Sequence, residues 1–169
     1  MKHFNKFFVA GLLILASASV KAQATASATA TATIVAPITI TKTTDMNFGN
    51  VAVDNVLGGT VVLDPASART PSAGVTLPAT TGTVSAASFT VTGTAGFTYS
   101  ITLPIDIILF HSLGMDQMLA DNLTSTPSGS GTLVGGSDVI NVGATLNVAP
   151  AQTPGVYTSG NFDVTVNYN

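Results

Sequence analysis

The chain has 169 residues, no Cys and a formal net charge of −3, and only 8% of its residues are charged. Without Cys it builds neither a disulfide framework nor a thiolate metal site. Beyond residue 22 only Lys42 and Arg69 oppose eight Asp, with no Glu, so there is no basic patch to neutralise phosphates, and nucleic acid and anionic lipid are disfavoured as partners.

The N-terminus reads as a secretory signal over residues 1–22. Lys2 and Lys6 precede an apolar Phe7–Leu15 core, and Val20-Lys21-Ala22 supplies a small-residue cleavage site. The product is therefore expected in the periplasm, at the cell surface or outside the cell. No later apolar run approaches the roughly 18 residues of a membrane-spanning helix.

From Gln23 the chain alternates. Ala24, Ala26, Ala28, Ala30, Ala32 and Ile34 fall on one side of an extended segment, with Thr25, Ser27, Thr29, Thr31, Thr33 and Val35 on the other. Pro37 would delete a ladder bond from a central strand, so it divides an extended arm, residues 23–37, from a domain over residues 38–169. Twelve arm residues reach roughly 40 Å when extended, longer than an ordinary strand and long enough to cover a neighbour's groove.

The domain reads as strands bounded by turns. Shorter runs are expected at Ile38–Lys42, Asn47–Val51, Thr60–Leu63, Ser88–Thr92, Ile105–Phe110 and Met118–Leu123. Period-two runs place Phe97, Tyr99, Ile101 and Leu103 on one face, then Ile140, Val142, Ala144, Leu146 and Val148, and finally Phe162, Val164, Val166 and Tyr168. Leu113–Leu123 fits either a helical turn or a strand, and strand is favoured. Proline pairs such as Asp64-Pro65 and Leu103-Pro104, and the glycines at 58–59, 129–131 and 135–136, supply the reversals. Short strands spaced about 8–12 residues apart with one wet face specify an all-β antiparallel sandwich or barrel. Tyr157, just after Pro154-Gly155, suits a structural corner whose hydroxyl bonds nearby backbone.

Chemistry-bearing clusters are sparse. His111 is the one His after the signal, and the neighbouring Ser112 and Asp116 lack any nucleophile-elbow context, so no catalytic residue is assigned. One His without Cys gives no zinc spacing. Asp45, Asp54, Asp64, Asp106, Asp116, Asp121, Asp138 and Asp163 stand singly, without an EF-hand pattern, so no cofactor is assigned; a Ca²⁺ site assembled from separate loops stays open. Asn122-Leu123-Thr124 matches a glycosylation acceptor, a weak three-residue pattern. The chain has no Trp, and Phe48, Phe89, Phe97, Tyr99 and Phe162 lie on apolar faces, which suits core packing better than sugar stacking.

Taken together, ATATATIVAPITITKTTDMNFGNV, VSAASFTVTGTAGFTYSITLP, TSTPSGSGTL and PGVYTSGNFDVTVNYN resemble the secreted bacterial family known as domain of unknown function 4402, over nearly all of the mature chain. More distantly, the chain is similar to spore-coat protein U and to archaic chaperone–usher pilins. That resemblance implies an immunoglobulin-like antiparallel β-sandwich lacking one strand, completed by a neighbour's arm. Ala28, Ala30, Ala32 and Ile34 would then be donor residues, and Phe162, Val164, Val166 and Tyr168 the receiving strand. The alternative is that Ala24–Ile40 folds back as an edge strand of its own sandwich.

These readings together imply a non-catalytic secreted or cell-surface structural protein, a fimbrial or pilin-like subunit that assembles with copies of itself or related subunits, with a periplasmic chaperone as a further partner. The second reading is a self-complete monomeric adhesin or carbohydrate-binding module. An enzyme is disfavoured.

Overall fold

The structure, a computed structural model, describes residues 23–169; the signal assigned to residues 1–22 lies outside the described residues. Gln23–Thr33 is exposed throughout and carries no strand. Ile34–Asn169 forms a compact unit of its own.

No helix occurs among the described residues. The strands are β1 (Thr39–Thr44), β2 (Ala52–Val53), β3 (Gly59–Leu63), β4 (Arg69–Pro71), β5 (Val75–Thr76), β6 (Ala87–Thr92) and β7 (Thr98–Thr102). They continue with β8 (Ile107–His111), β9 (Gln117–Thr126), β10 (Ser130–Thr132), β11 (Ser137–Val148), β12 (Tyr157–Ser159) and β13 (Thr165–Tyr168). All pairings between them are antiparallel. One large sheet runs β1-β6-β11-β9-β8-β12, with β3 joining β11 and β4 joining β3. The opposite layer is divided into a three-stranded sheet, β10-β7-β13, and the short β2-β5 pair.

The long β11 shows why this sequence makes a sandwich. Ile140, Val142, Ala144, Leu146 and Val148 are all buried, as their alternation requires, while Asn141, Thr145 and Asn147 are only half-buried. Ile140 and Val142 pack with Phe89, Val91, Tyr99, Leu133, Val164 and Val166 beneath the three-stranded sheet. Ala144, Leu146 and Val148 pack with Phe48, Val61, Leu63 and Val75 beneath β2-β5. One inward row of a single strand thus anchors two adjoining cores under a divided roof.

Polar groups pin the roof and turns. Tyr99, fully buried, donates its hydroxyl proton to Asp138 Oδ2 at 2.8 Å. Burial, with the Asp138 carboxylate beside it, pushes its phenol ionisation well above the ordinary tyrosine range. Asp54 Oδ1 accepts the backbone N–H groups of Val56 at 2.7 Å and Leu57 at 3.1 Å, which hold its carboxyl below the usual value. The Arg69 guanidinium donates through Nη1 to the carbonyls of Phe48 (2.6 Å) and Asn50 (2.9 Å), tying the Phe48 segment to β4.

Several expectations are corrected. Asn47–Val51 is not a strand: Asn47 Oδ1 accepts the Gly49 N–H at 2.8 Å and Gly49 takes φ +69°, so the chain turns after a single bridge from Asn47 to Ser85. Phe97 is 41% exposed, because the ladder begins at Thr98; its ring instead meets Tyr168 edge-on at 5.6 Å. Ile105 is exposed, because the ladder starts two residues later, at Ile107. The Leu113–Leu123 stretch divides: Leu113 and Met115 stand exposed in a turn, and strand begins at Gln117. β4, β5, β10 and β12 have two or three residues each, too few for a period to register. β9 carries one extra residue opposite Ala144, where Asn122 adopts φ +47°, a bulge that alternation cannot foretell.

Candidate functional site

The divided roof leaves an open groove of about 1290 Å³ over the large sheet. Its floor is the inward face of that sheet, with Phe89 from β6, Ile107 and Leu109 from β8, Met118 and Ala120 from β9, and Leu146 from β11. Ile107, Ala120 and Leu146 are buried, whereas Leu109 and Met118 are only partly covered. The floor is therefore a hydrophobic core with part of its cover missing.

One wall is β1 and the turn after it. Lys42 stands opposite the inward-facing Phe89 in the β1–β6 register, so Ile40 and Lys42 share the core face, yet only Ile40 is half-buried. Lys42 stays solvated and pairs with Asp45 at 2.6 Å, an exposed contact that adds little stability. β1 bonds β6 along one edge and has no strand on the other.

The opposite wall is the stretch leading into β13. Phe162 and Val164 turn inward by alternation and line the groove, while Asn161 and Asp163 are exposed. Outside the strand ladders, the backbone of Gly160–Val164 forms no backbone hydrogen bond among the described residues. β13 pairs with β7 alone, Val166 opposite Ile101 and Tyr168 opposite Tyr99, which leaves its other edge open. The open edge of β1 and the Gly160–Val164 segment, which forms no strand although alternation predicts one from Phe162, thus border the groove with unpaired N–H and C=O groups, a template for an added strand.

The walls are closed at one end. The Thr94 N–H donates to the Tyr168 hydroxyl at 2.7 Å, and that hydroxyl donates to the Ala36 carbonyl at 2.9 Å. The Ala36 N–H completes the ring by donating to Thr94 Oγ1 at 3.0 Å. At the far end, the Tyr157 hydroxyl donates to the Thr153 carbonyl and accepts from Gln152 Nε2, both at 2.8 Å, and its ring meets His111 edge-on at 4.9 Å.

Each residue singled out in the sequence now has a place. Phe162 and Val164 line the groove; Val166 is buried in the adjoining core, and Tyr168 belongs to the closed end. Ala28, Ala30 and Ala32 lie exposed in Gln23–Thr33, and Ile34 is 96% exposed. The Ile40–Lys42 wall escaped sequence reading, although a strand carrying a Lys on its core-facing parity is a signal that its cover is missing. His111 accepts the Leu113 N–H on Nδ1 at 3.1 Å and has Nε2 3.2 Å from the Pro154 carbonyl, so its ring is held by loop backbone and not by Ser112 or Asp116. Among the described residues no group of three or more His, Asp or Glu side chains could hold a metal ion.

The model of the domain of unknown function DUF4402 matches residues 38–168. The chain belongs to the DUF4402 family. No curated protein and no solved structure matches it. The DUF4402 region begins immediately after Pro37 and contains every strand from β1 to β13, hence the floor and both walls of the groove. The alternating arm precedes it.

Proposed function

We propose that this DUF4402 protein is a non-catalytic, secreted structural subunit of the cell surface, whose groove is filled by an extended arm of the Gln23–Ile34 type. The groove bordered by the open edge of β1 and the unpaired backbone of Gly160–Val164 carries this reading. Its volume, about 1290 Å³, exceeds the roughly 300–1,000 Å³ typical of small-molecule pockets and suits a length of polypeptide. The arm has the matching chemistry: an apolar side made of Ala24 to Ala32 and Ile34, a Thr/Ser side for water, and exposure at every residue from Gln23 to Ile34. Eleven residues from Gln23 to Thr33 extend about 36 Å at 3.3 Å each, longer than the nine-residue wall from Gly160 to Tyr168, about 30 Å.

Energetics support a moderate, additive seal. Each buried Ala methyl contributes about 0.8 kcal/mol and Ile34 about 1.5–3 kcal/mol, in addition to backbone bonds along the open edges. The test is a mature chain lacking residues 23–35, melted with and without a synthetic peptide of residues 23–35. The peptide should raise the melting temperature in a saturable manner, and a scrambled peptide that breaks the Ala/Thr alternation should not. No shift at millimolar peptide would refute the reading, and saturable binding of a glycan by the monomer would support the adhesin alternative in its place.

A further inference from the structure

We propose that one end of the sandwich docks on a bilayer of zwitterionic phospholipid, independently of what fills the groove. Three loops meet at that end. β3 begins at Gly59 opposite Val148, where β11 finishes; Asn147 stands opposite Leu119, near the start of β9; and Tyr157, where β12 begins, stands opposite His111, where β8 finishes. The β2–β3 loop, the β8–β9 turn and the β11–β12 loop are therefore neighbours. Two bonds join them: the Ala151 N–H donates to the Asp54 carbonyl at 3.1 Å, and the Ser112 N–H donates to the Val156 carbonyl at 2.9 Å. On these loops Val56 is 87% exposed, Leu57 56%, Leu113 92%, Met115 94% and Val156 67%, and of the five only Val156 also lines the groove. Bulky apolar side chains gathered in this way mark a surface of association.

Charge, area and backbone pairing decide what covers it. The three loops carry Asp54 and Asp116 and no Lys or Arg. An anionic bilayer therefore repels this end, and a second copy would set carboxylates against carboxylates, whereas the ammonium groups of zwitterionic headgroups attract both Asp side chains. At roughly 60–120 Å² of apolar surface each, the five side chains offer about 300–600 Å², short of the roughly 800 Å² per partner that a stable protein–protein interface buries. A bilayer needs no matching pocket. It does require that backbone donors entering it be bonded within the protein. Here Asp54 Oδ1 holds the N–H groups of Val56 at 2.7 Å and Leu57 at 3.1 Å, His111 Nδ1 holds that of Leu113 at 3.1 Å, and the Asp116 carbonyl holds that of His111 at 2.9 Å. The apolar side chains thus enter the boundary between headgroups and acyl chains while the carboxylates stay at headgroup level.

The test uses the mature chain, residues 23–169, and phosphatidylcholine vesicles at millimolar lipid. In flotation the parent should rise with the vesicles, and Leu113→Ser with Met115→Ser should lower its partition onto them at least tenfold. Replacing part of the lipid with phosphatidylglycerol should weaken binding severalfold. The chain has no Trp, so a Trp introduced singly reports its own surroundings. Emission from Leu113→Trp and from Val56→Trp should shift to the blue, saturably, as vesicles are added. Emission from Val134→Trp should not, because Val134 is exposed in the turn before β11, at the other end of the large sheet. Should Leu113→Trp fail to fold, Met115→Trp takes its place. Absence of flotation by the parent, equal partition of the double Ser variant, or an equal shift from Val134→Trp would overturn the proposal. Stronger binding to the anionic vesicles would overturn it too, as would a Leu113→Trp shift that arises without lipid and grows with protein concentration, which would place a second copy on this end. Binding of the arm peptide tests the groove separately and is unaffected by any of these results.

Discussion

Replacing Tyr99 with Phe removes one oxygen from a fully buried ring and leaves the packing shape intact. The lost interaction is the 2.8 Å bond to the Asp138 carboxylate, and a hydrogen bond to a charged group contributes about 1.5–3 kcal/mol. Asp138 keeps the Val139 N–H on its other oxygen, so Tyr99→Phe should cost an amount within that range at pH 8. The alkaline side has the opposite sign. The folded phenol ionises well above the ordinary value near 10, so the parent's advantage is complete below pH 10 and declines as pH rises toward the folded value. The slope is about 1.4 kcal/mol per pH unit for a single proton, so the gap between parent and Tyr99→Phe should close over about one to two units, near pH 11–12. Urea unfolding of both proteins at pH 8, 10 and 11 measures this directly, with midpoints compared at matched m-values. A gap that is absent at pH 8, or unchanged between pH 8 and pH 11, would refute the assignment of the Tyr99–Asp138 bond as a buried, strength-bearing contact.

Three further outcomes follow from the same structure. Ile140→Ala, in the middle of β11 and fully buried, should cost about 2–5 kcal/mol in chemical unfolding, whereas Val139→Ala on the exposed face of the same strand should cost under about 1 kcal/mol. Gly143→Ala drives a methyl into the Leu63 carbonyl and the Asp64 backbone, where no flexible side chain can give way, so it should destabilise by at least about 2 kcal/mol or abolish soluble expression. Asp54→Ala should destabilise at neutral pH and lose its effect in acid. The folded Asp54 ionises below its unfolded value, so its contribution is present above about pH 4 and vanishes as pH falls through the folded value; thermal melts from pH 7 to pH 2 check this.

Much of this fold is local information. A period-two row such as Ile140 to Val148 must face a core wherever the strand pairs, because successive side chains on an extended chain point to opposite sides. The same logic placed Phe162, Val164 and Val166 inward and made an all-β antiparallel protein the only architecture consistent with so many short wet-faced strands. Turn chemistry misled where it acted inside a run: the Asn47–Gly49 turn ended a strand that composition alone supports. Two-residue strands such as β2 and β5 are defined by partners, so nothing in their own residues announces them.

Sequence by itself determined the alternating arm, the inward rows and the lack of turn residues between Gln23 and Ala36, because each depends on residue type and spacing along the chain. Tertiary structure alone decided that the roof is divided, that the edges of β1 and of Gly160–Tyr168 are left open across one groove, and that Tyr168 meets Ala36, 132 residues away, to fix the root of the arm. Those are statements about which edges remain unpaired after every strand has found its neighbour, and pairing between distant segments is set by the assembled sheet and not by any local pattern.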